Sequence, residues 1–365
     1  MVLVWRKRTW RCPARECPLG SFSEEVDAIA PGSCLTERAR AEICRRVGED
    51  GDSVAQVATA FGVTWHTAWA AVVEHGKARV DHLSRIGAPR TLGLDETAFL
   101  KANHKHPTQL VTGFVDIDSS RLIDIVPGHS AKGVTDWLEA KPPRWKTGIR
   151  LVALDPFRGY AKGIRQGLPH ARQVVDHFHI IRLANAALDD VRRRVQQGTL
   201  GHRGRKGDPL YRIRRLLLVA HERLSELGWA RIEEGLRLGD PEGEVGAAYL
   251  GKELLREVYA TKSLKEARRR LDRFYRHCSE IGIPEMARLA KTIRAWETEL
   301  LAWHETGVTN AATEGQNLLI KKIKRVGHGF RNVENYRLRL LLHCGVLWKP
   351  RRVASIRGHQ PALVA

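Results

Sequence analysis

The chain has 365 residues, and its 61 lysines and arginines against 41 aspartates and glutamates give a formal net charge of +20. A hydrophobic fraction of 43% is enough to fill a core, which excludes a wholly disordered chain. The positive charge favours a polyanionic partner, with nucleic acid as the first candidate, although a merely basic or ribosome-associated protein would show the same excess. No apolar run is close to the roughly 20 residues that cross a membrane, so we expect a cytoplasmic protein without a membrane partner. The six cysteines are not expected to form a disulfide framework in a chain of this length.

The first segment, 1–35, looks like the second half of a zinc ribbon. A tetrahedral structural zinc site needs four ligands, and only Cys12 and Cys17 are present in this segment in a ribbon-like spacing. Cys34 and Cys44 could complete a site, but Cys44 falls within a helical pattern. We therefore interpret the segment as a partial zinc-ribbon remnant of an N-terminally shortened chain and leave zinc binding open.

The next segment, 36–82, has the pattern of a helix-turn-helix DNA-binding domain. The small residue Ala58 lies four positions before a turn glycine, Gly62, and an apolar and a polar residue then precede a second helix. The range 64–74 is the candidate recognition helix. The residues expected to face the DNA groove are Trp65, His66 and Thr67. The alternative, that the tryptophans belong to the core, is the one we prefer for Trp69.

A region with mixed strand and helix patterns follows. The predicted strands cover 93–99, 110–117, 121–126, 148–155 and 171–175, with a helix over 133–140. Three strands, a helix, a strand, a helix and a strand are the order of an RNase H-like domain, which has a mixed sheet with helices on both faces. The sequence therefore predicts the first part of an α/β, RNase H-like catalytic domain over 88–197.

From Ile180 onward the helical pattern continues for more than a hundred residues. The segment 198–305 is predicted to be an all-helical insertion. It opens with a basic, glycine-containing loop over 198–209, which could be simply solvated. The segment 306–345 would return to the catalytic domain, and 346–365 would form a basic tail.

A helix with a strongly polar side is predicted near the end of the chain. Asn310 is expected to cap it. Its inward face is expected to consist of Ala312, Leu319, Ile323 and Val326. Its opposite face is expected to consist of Glu314, Asn317, Lys321 and Lys324. The residues that this arrangement would direct toward the DNA backbone are Asn317, Lys321, Arg325 and Arg331.

Three acids are separated in the sequence but come together in the predicted fold. Asp95 lies on the first strand of the sheet, Asp155 ends the fourth, and Glu314 lies on the late helix. Two of them have a simpler explanation when taken alone, since Asp95 suits a turn and Glu314 suits a helix N-terminus. In an RNase H-like sheet the first and fourth strands are neighbours, so the two aspartates can reach one ion and a helix over that edge can add the glutamate. Carboxylate oxygens suit Mg²⁺ or Mn²⁺.

Five blocks of sequence support one interpretation. They are Leu94–Glu96, Ala153–Tyr160, Val175–His179, Thr309–Asn317 and Gly327–Asn332. In these blocks the chain resembles the DDE transposases of bacterial insertion sequences, of the ISL-three type. The resemblance implies that Asp95, Asp155 and Glu314 form a metal-binding catalytic triad, with the helical insertion between the second aspartate and the glutamate. The missing first cysteine pair departs from the family pattern.

The resemblance implies a transposase that binds insertion-sequence ends and catalyses metal-dependent DNA strand cleavage and strand transfer. Water would attack in the first cut and a 3′-hydroxyl in the joining step. The partners would be double-stranded DNA, both element ends and target, and other copies of the chain on paired ends, in the bacterial nucleoid. The side chains expected near the triad are Asp176, His177 and His179. Glu96 is expected to pair with a nearby arginine.

Two alternatives come from other functional classes. One is a sequence-specific DNA-binding protein without catalysis, such as an inactivated or domesticated transposase. The other is an RNase H-like nuclease that acts on junctions or RNA. The helix-turn-helix pattern and the long insertion favour transposition over the nuclease.

Overall fold

The computed structural model describes residues 4, 6–29, 32–82, 85 and 87–348. It divides into two compact units. One consists of the described residues of Met1–Ile86 and Leu319–Ala365, and the other of Gly87–Leu318. Positions 349–365 of the predicted basic tail lie outside the described residues.

Both units contain strands as well as helices. The strands are β1 (Thr9–Arg11), β2 (Ser21–Ser23), β3 (Thr91–Leu100), β4 (Gln109–Asp116), β5 (Arg121–Pro127), β6 (Leu151–Leu154) and β7 (Arg172–Val175). The helices are α1 (Glu37–Arg45), α2 (Val54–Phe61), α3 (Trp65–Val80), α4 (Ala131–Glu139), α5 (Pro143–Gly148), α6 (Arg158–Gly167), α7 (His177–Leu200), α8 (Pro209–Ile213), α9 (Glu226–Gly239), α10 (Glu244–Val258), α11 (Leu264–Glu280), α12 (Pro284–Ala295), α13 (Glu297–Thr306), α14 (Ala311–Val326) and α15 (Val333–Cys344). A π-helical turn (Arg46–Asp50) continues α1, and two 3₁₀ turns (Leu216–Leu218 and His221–Arg223) follow α8.

Helices α2 and α3 form the predicted helix-turn-helix. Gly62 ends α2 with φ +65°, a left-handed conformation that glycine adopts without strain, and its N–H donates to the carbonyl of Ala58. The side chain of Thr64 then caps α3 by accepting from a backbone N–H of its first turn. Trp65 is 45% exposed and stacks on Trp69, which is half-buried. Trp69 is thus only partly in the core, and the fully buried side of α3 consists of smaller residues. These residues are Ala68, Ala71, Val72 and Val80.

The two cysteines of the half-ribbon lie at the short antiparallel hairpin of β1 and β2. Cys12 follows β1 and Cys17 lies in the connecting turn. Cys44 is buried in α1, where burial raises the pKa of its thiol to about 11. Among the described residues, Cys12 and Cys17 belong to no group of three or more side chains placed to hold a metal ion.

Helix α15 packs within the same unit as the helix-turn-helix. The buried guanidinium of Arg339 donates to the backbone carbonyls of Val47, Gly51 and Asp52, in and just after the π-helical turn. The division between the two units falls within α14. The predicted segment 306–345 is therefore shared between both units.

The second unit is built on a five-stranded mixed sheet in the order β5-β4-β3-β6-β7. Strands β3, β4 and β5 pair antiparallel, whereas β6 and β7 run parallel to β3. The predicted order of strands and helices is confirmed, with the short helix α5 in addition. The strand predicted over 148–155 is shorter, Leu151–Leu154, so Asp155 lies just beyond its end.

Between β7 and α14, the regular elements of the described residues 198–305 are all helices, joined by loops. Helix α7 continues to Leu200, so the basic loop begins at Gly201 rather than Gly198. The buried face of α11 follows helical periodicity. It consists of Ala267, Leu271, Phe274, Tyr275 and Cys278.

Helix α14 packs closely against the sheet at Gly93, where we expect a side chain to be poorly tolerated. A Cβ at this position would lie 2.2 Å from Oγ1 of the buried Thr313 and 3.1 Å from the side chain of Ile117. We therefore expect Gly93→Ala to lower the free energy of unfolding by about 1–3 kcal/mol, as overpacking does. Urea denaturation measures it. The matched control is Gly113→Ala on β4, where the nearest atoms lie 3.8 Å from the added Cβ. Equal losses in both variants would contradict the close approach.

Candidate active site

The parallel pairing of β3 with β6 places two acids at the same end of the sheet. Leu94 pairs with Leu154, so Asp95 and Asp155 are the next residues on the two neighbouring strands. One carboxylate oxygen from each of Asp95, Glu96 and Asp155 lies within 4.8 Å of the other two. Asp155 is only 5% exposed. The expected approach of the two aspartates is thus present in the structure.

The environment of Asp95 disfavours its charge. Burial and, second, the negative charge of Asp155 raise the pKa of Asp95 to about 7. The backbone N–H of Glu96, which donates to Oδ1 of Asp95 over 2.7 Å, acts in the opposite direction. Three carboxylates held this close repel one another, and a cation among them would relieve that repulsion.

Glu96 does not form the arginine pair that the sequence predicted. Among the described residues it has no arginine within ion-pair distance, and its carboxylate joins Asp95 and Asp155 instead. The physical reason is the end of β6 at Leu154. Beyond that residue β3 has no parallel neighbour, so side chains from both of its faces can reach the space next to Asp155.

The buried face of α14 is polar in the first half of the helix, which corrects the predicted orientation there, whereas Ile323 is buried as predicted. The buried residues of α14 are Thr313, Gln316, Asn317, Ile320 and Ile323. Asn317, which we expected to contact DNA, is 8% exposed and donates through Nδ2 to Oδ2 of Asp95. Gln316 donates to the carbonyl of Ser120. Hydrogen bonds thus offset the burial of these amides. The other predicted DNA contacts, Lys321, Arg325 and Arg331, are exposed.

Asn310 ties the start of α14 to the sheet rather than capping the helix. It is fully buried, its backbone N–H donates to Oδ1 of Asp176 over 3.4 Å, and its Nδ2 donates to the carbonyl of Leu94 over 3.4 Å. Its Oδ1 has no hydrogen-bond partner among the described residues, so it does not accept from the helix as a cap would. Glu314 therefore lies one turn after Asn310, which is fixed to the strand that carries Asp95.

Glu314 belongs to a second group of possible ligands. Ligand atoms of Asp176, His179 and Glu314 lie within 4.8 Å of one another. Nδ1 of His179 also contacts Oδ1 of Asp155. The three acids of the predicted triad therefore lie in two groups, joined by the contact between His179 and Asp155.

The two histidines in this region carry positive charge more readily than usual. The hydrogen bond with Asp176 raises the pKa of His177, and the two atoms of that pair, Nδ1 and Oδ1, are 3.4 Å apart. Burial lowers the pKa of His179, but the hydrogen bond and the charge of Asp155 outweigh it, and the net direction is upward. When protonated, the two imidazoles offset part of the carboxylate charge.

The residues of the two groups fit a divalent cation. Carboxylate oxygens dominate the donor set, as Mg²⁺ and Mn²⁺ prefer, with one imidazole that Mn²⁺ also accepts. Asp155, Asp176 and His179 are buried, whereas Asp95, Glu96 and Glu314 are half-buried. This arrangement provides a fixed base and a side that is open to a substrate.

Arg182 is a residue near the site that sequence reasoning missed. Its Nη2 lies 3.8 Å from Oδ2 of Asp155, and its side chain is 61% exposed. The available signal was helical spacing, since Arg182 follows His179 by three positions on α7 and so lies on the same face.

Comparisons with known proteins identify the family. Residues 92–340 match the model of a family described as transposase, and residues 24–76 match the model described as the helix-turn-helix domain of transposase family ISL3. The chain belongs to the ISL3 family of transposases. It is similar to the transposase for insertion sequence element IS1557 of Mycobacterium tuberculosis, with 27% identity over 321 residues that cover 82% of this chain and 68% of that protein. It is also similar to the transposase for insertion sequence element IS1001 of Bordetella parapertussis, with 25% identity over 344 residues that cover 92% and 79%.

The helix-turn-helix gives this transposase its DNA-binding domain. Trp65 and His66 are exposed at the start of α3, whereas Thr67 is half-buried with its hydroxyl 2.9 Å from that of Thr64. Their contact with DNA bases stays a prediction. None of the described helices is both long enough and apolar enough to cross a lipid bilayer.

Proposed function

We propose that this transposase cuts and joins DNA strands at the site of Asp95, Asp155 and Glu314, on an RNase H-like fold. The observation that carries the proposal is the parallel pairing of β3 and β6, which holds Asp155 beside Asp95. The sheet order, with three antiparallel strands followed by two parallel ones, supports the fold assignment. The substrates are double-stranded element ends and target DNA, and the active form is a homo-oligomer on paired ends.

The residues that would hold Mg²⁺ or Mn²⁺ are Asp95, Asp155 and Glu314, with Glu96, Asp176 and His179 beside them. When bound, such an ion polarises the scissile phosphate and favours ionisation of the attacking hydroxyl. Asn317 fixes the carboxylate of Asp95, and His179 fixes that of Asp155. Each carboxylate oxygen has two lone pairs, so one hydrogen bond to it leaves another available. Asn310 holds the start of α14 to the strand and so positions Glu314.

The proposed reaction consists of two displacements at phosphorus. In the first, water attacks the phosphate at the element end, the P–O3′ bond breaks, and a free 3′-hydroxyl leaves. In the second, that 3′-hydroxyl attacks a target phosphate, and a target 3′-hydroxyl leaves in turn. Both steps exchange one P–O bond for another, so neither needs an oxidant or a nucleotide cofactor.

A cleavage and joining assay tests this proposal. With a plasmid that carries the chain's own element ends and flanking DNA, we expect nicked and joined products in Mg²⁺ or Mn²⁺ and none in EDTA. Binding of the ends should persist in EDTA, since the helix-turn-helix needs no metal.

Two other outcomes would support the rival functions. Binding of the ends without any cleavage in either metal would favour a DNA-binding protein without catalysis. Cleavage that ignores the ends and never gives joined products would favour an RNase H-like nuclease.

A further inference from the structure

An arginine-rich groove runs along α7, the loop after it and α8, within the second unit. Its volume is about 730 Å³. Six arginines line it, against the single acid Asp189. They are Arg182, Arg192, Arg193, Arg203, Arg214 and Arg215. The lining of the groove therefore carries a clear excess of positive charge, in keeping with the net +20 of the chain.

The arginines of the groove have two different roles. Arg192 is only 3% exposed and is fully engaged, since it pairs with Asp189 and donates to Gln196 and to the carbonyl of Arg203. Arg203 and Arg215 are exposed, and among the described residues neither has a carboxylate within ion-pair distance. Arg192 thus builds the groove, whereas Arg203 and Arg215 are available to a ligand.

The loop that carries Arg203 is held in place rather than simply solvated. Oδ2 of Asp208 accepts from the backbone N–H of Arg205 and from Gln196, and the N–H of Gly204 donates to the ring of His202 over 3.2 Å. A fixed loop loses little conformational entropy when it binds a ligand, which favours a binding role.

The groove begins at the candidate active site. Arg182 contacts Asp155 at one end, and Arg193 lies three turns further along the same face of α7, about 16 Å away at 1.5 Å per residue. One strand of DNA rises about 3.4 Å per nucleotide along the duplex axis, so this distance matches roughly five phosphates. Arg214 stacks on Tyr211, with its guanidinium carbon 3.8 Å from the ring centroid, and extends the cationic wall.

We propose that this groove binds the sugar–phosphate backbone of the DNA that leads away from the cleaved phosphate. The assignment of this strand rests on the proposed function, whereas the binding of DNA by the groove does not. Free guanidinium groups match phosphate geometry, and the single acid of the groove is already engaged by Arg192. The groove thus holds the substrate in register with the acids while the helix-turn-helix recognises sequence elsewhere.

The test uses the full chain in EDTA with a fluorescent 40-base-pair duplex of random sequence. We expect the double variant Arg203→Ala/Arg215→Ala to bind at least 10-fold more weakly and to reduce the slope of log Kd against log salt by about 2, close to one for each lost phosphate contact. The matched control is Arg231→Ala/Arg288→Ala, two exposed arginines of the same helical region that do not line the groove. Its affinity and slope should stay within twofold of wild type.

Two results would overturn the proposal. One is an equal loss in both double variants, which would indicate only a general effect of charge. The other is an unchanged slope with an altered sedimentation coefficient, which would indicate that the groove contacts a second copy of the chain. Because the duplex lacks element ends and the buffer lacks metal, failure of catalysis leaves this test unaffected.

Discussion

Asp155→Asn is expected to abolish both strand cleavage and strand transfer, with rates lower by roughly a thousandfold or more. Asparagine keeps the size of the side chain but removes the charge that would hold the cation. Asp155 is also the residue that joins the two ligand groups, since it lies next to Asp95 and contacts His179. Asp95→Asn and Glu314→Gln should cause losses of the same order. Gel analysis of nicked and joined products in Mn²⁺ measures the effect.

The matched control is Asp136→Asn on α4, an exposed acid that pairs with Lys132 one turn away. It changes the net charge by the same amount and should leave both reactions within twofold of wild type. All variants should bind element ends as wild type does, which separates a lost reaction from a lost fold. If Asp155→Asn still joins strands, the site of Asp95, Asp155 and Glu314 is not the catalytic site.

The approach of Asp95 and Asp155 could be predicted because it depends on the local pattern of the strands and on their order along the chain. An apolar run that ends in an acid indicates a buried strand with a polar residue at its end, and this pattern holds for Asp155. The order of the elements then predicts which strands pair, as the register of Leu94 with Leu154 confirms. Periodicity and topology were therefore enough to predict the sheet and this pair of acids.

The orientation of α14 could not be predicted in this way. Hydrophobic periodicity assumes that apolar residues turn inward, but this helix buries Thr313, Gln316 and Asn317. Burial of polar groups is stable only where partners exist, and in this protein Asp95 and the carbonyl of Ser120 supply them. Those partners are distant in sequence, so the site itself determines the orientation of the helix.

The surroundings of the acids were also underestimated. In a strand with neighbours on both sides, alternation places Glu96 on the face opposite Asp95. This rule does not separate the two acids where β6 ends at Leu154. Beyond that residue, the carboxylates of both Asp95 and Glu96 lie close to Asp155. The contact of His179 with Asp155 depends on where α7 starts relative to the sheet, and no residue pattern specifies that position.

Asp95→Asn is expected to stabilise the metal-free protein at pH 8. Burial and the charge of Asp155 raise the pKa of Asp95 to about 7, far above its value in an unfolded chain. Between about pH 4 and pH 7 the folded state therefore holds a proton that the unfolded state has lost, and the free energy of unfolding of the wild type falls as the pH rises through this window. The variant has no carboxyl group at position 95, so this fall in the free energy of unfolding does not occur. At pH 8 in EDTA the variant should therefore be more stable than the wild type by about 1 kcal/mol or more. At pH 4 the difference should largely disappear.

The comparison with the variant is needed because His177 and His179 contribute in the same direction. Their raised pKa values also give stability that is lost as the pH increases. The wild-type curve alone therefore cannot isolate Asp95. Calorimetric unfolding of both proteins at pH 4 and pH 8 measures the difference, and parallel curves would contradict the raised pKa.

Divalent cations should reverse this order of stability. An ion that binds only the folded state stabilises it by about 2.7 kcal/mol at a concentration one hundred times its Kd. The wild type should gain this stabilisation in Mn²⁺ at pH 8, because its ionised carboxylates attract the ion. Asp95→Asn should gain much less. The substitution removes the repulsion between positions 95 and 155 without an ion, and it also removes a ligand for that ion. If Mn²⁺ raises the Tm of both proteins equally, Asp95 is not a metal ligand, whatever the effect of the same substitution on strand transfer.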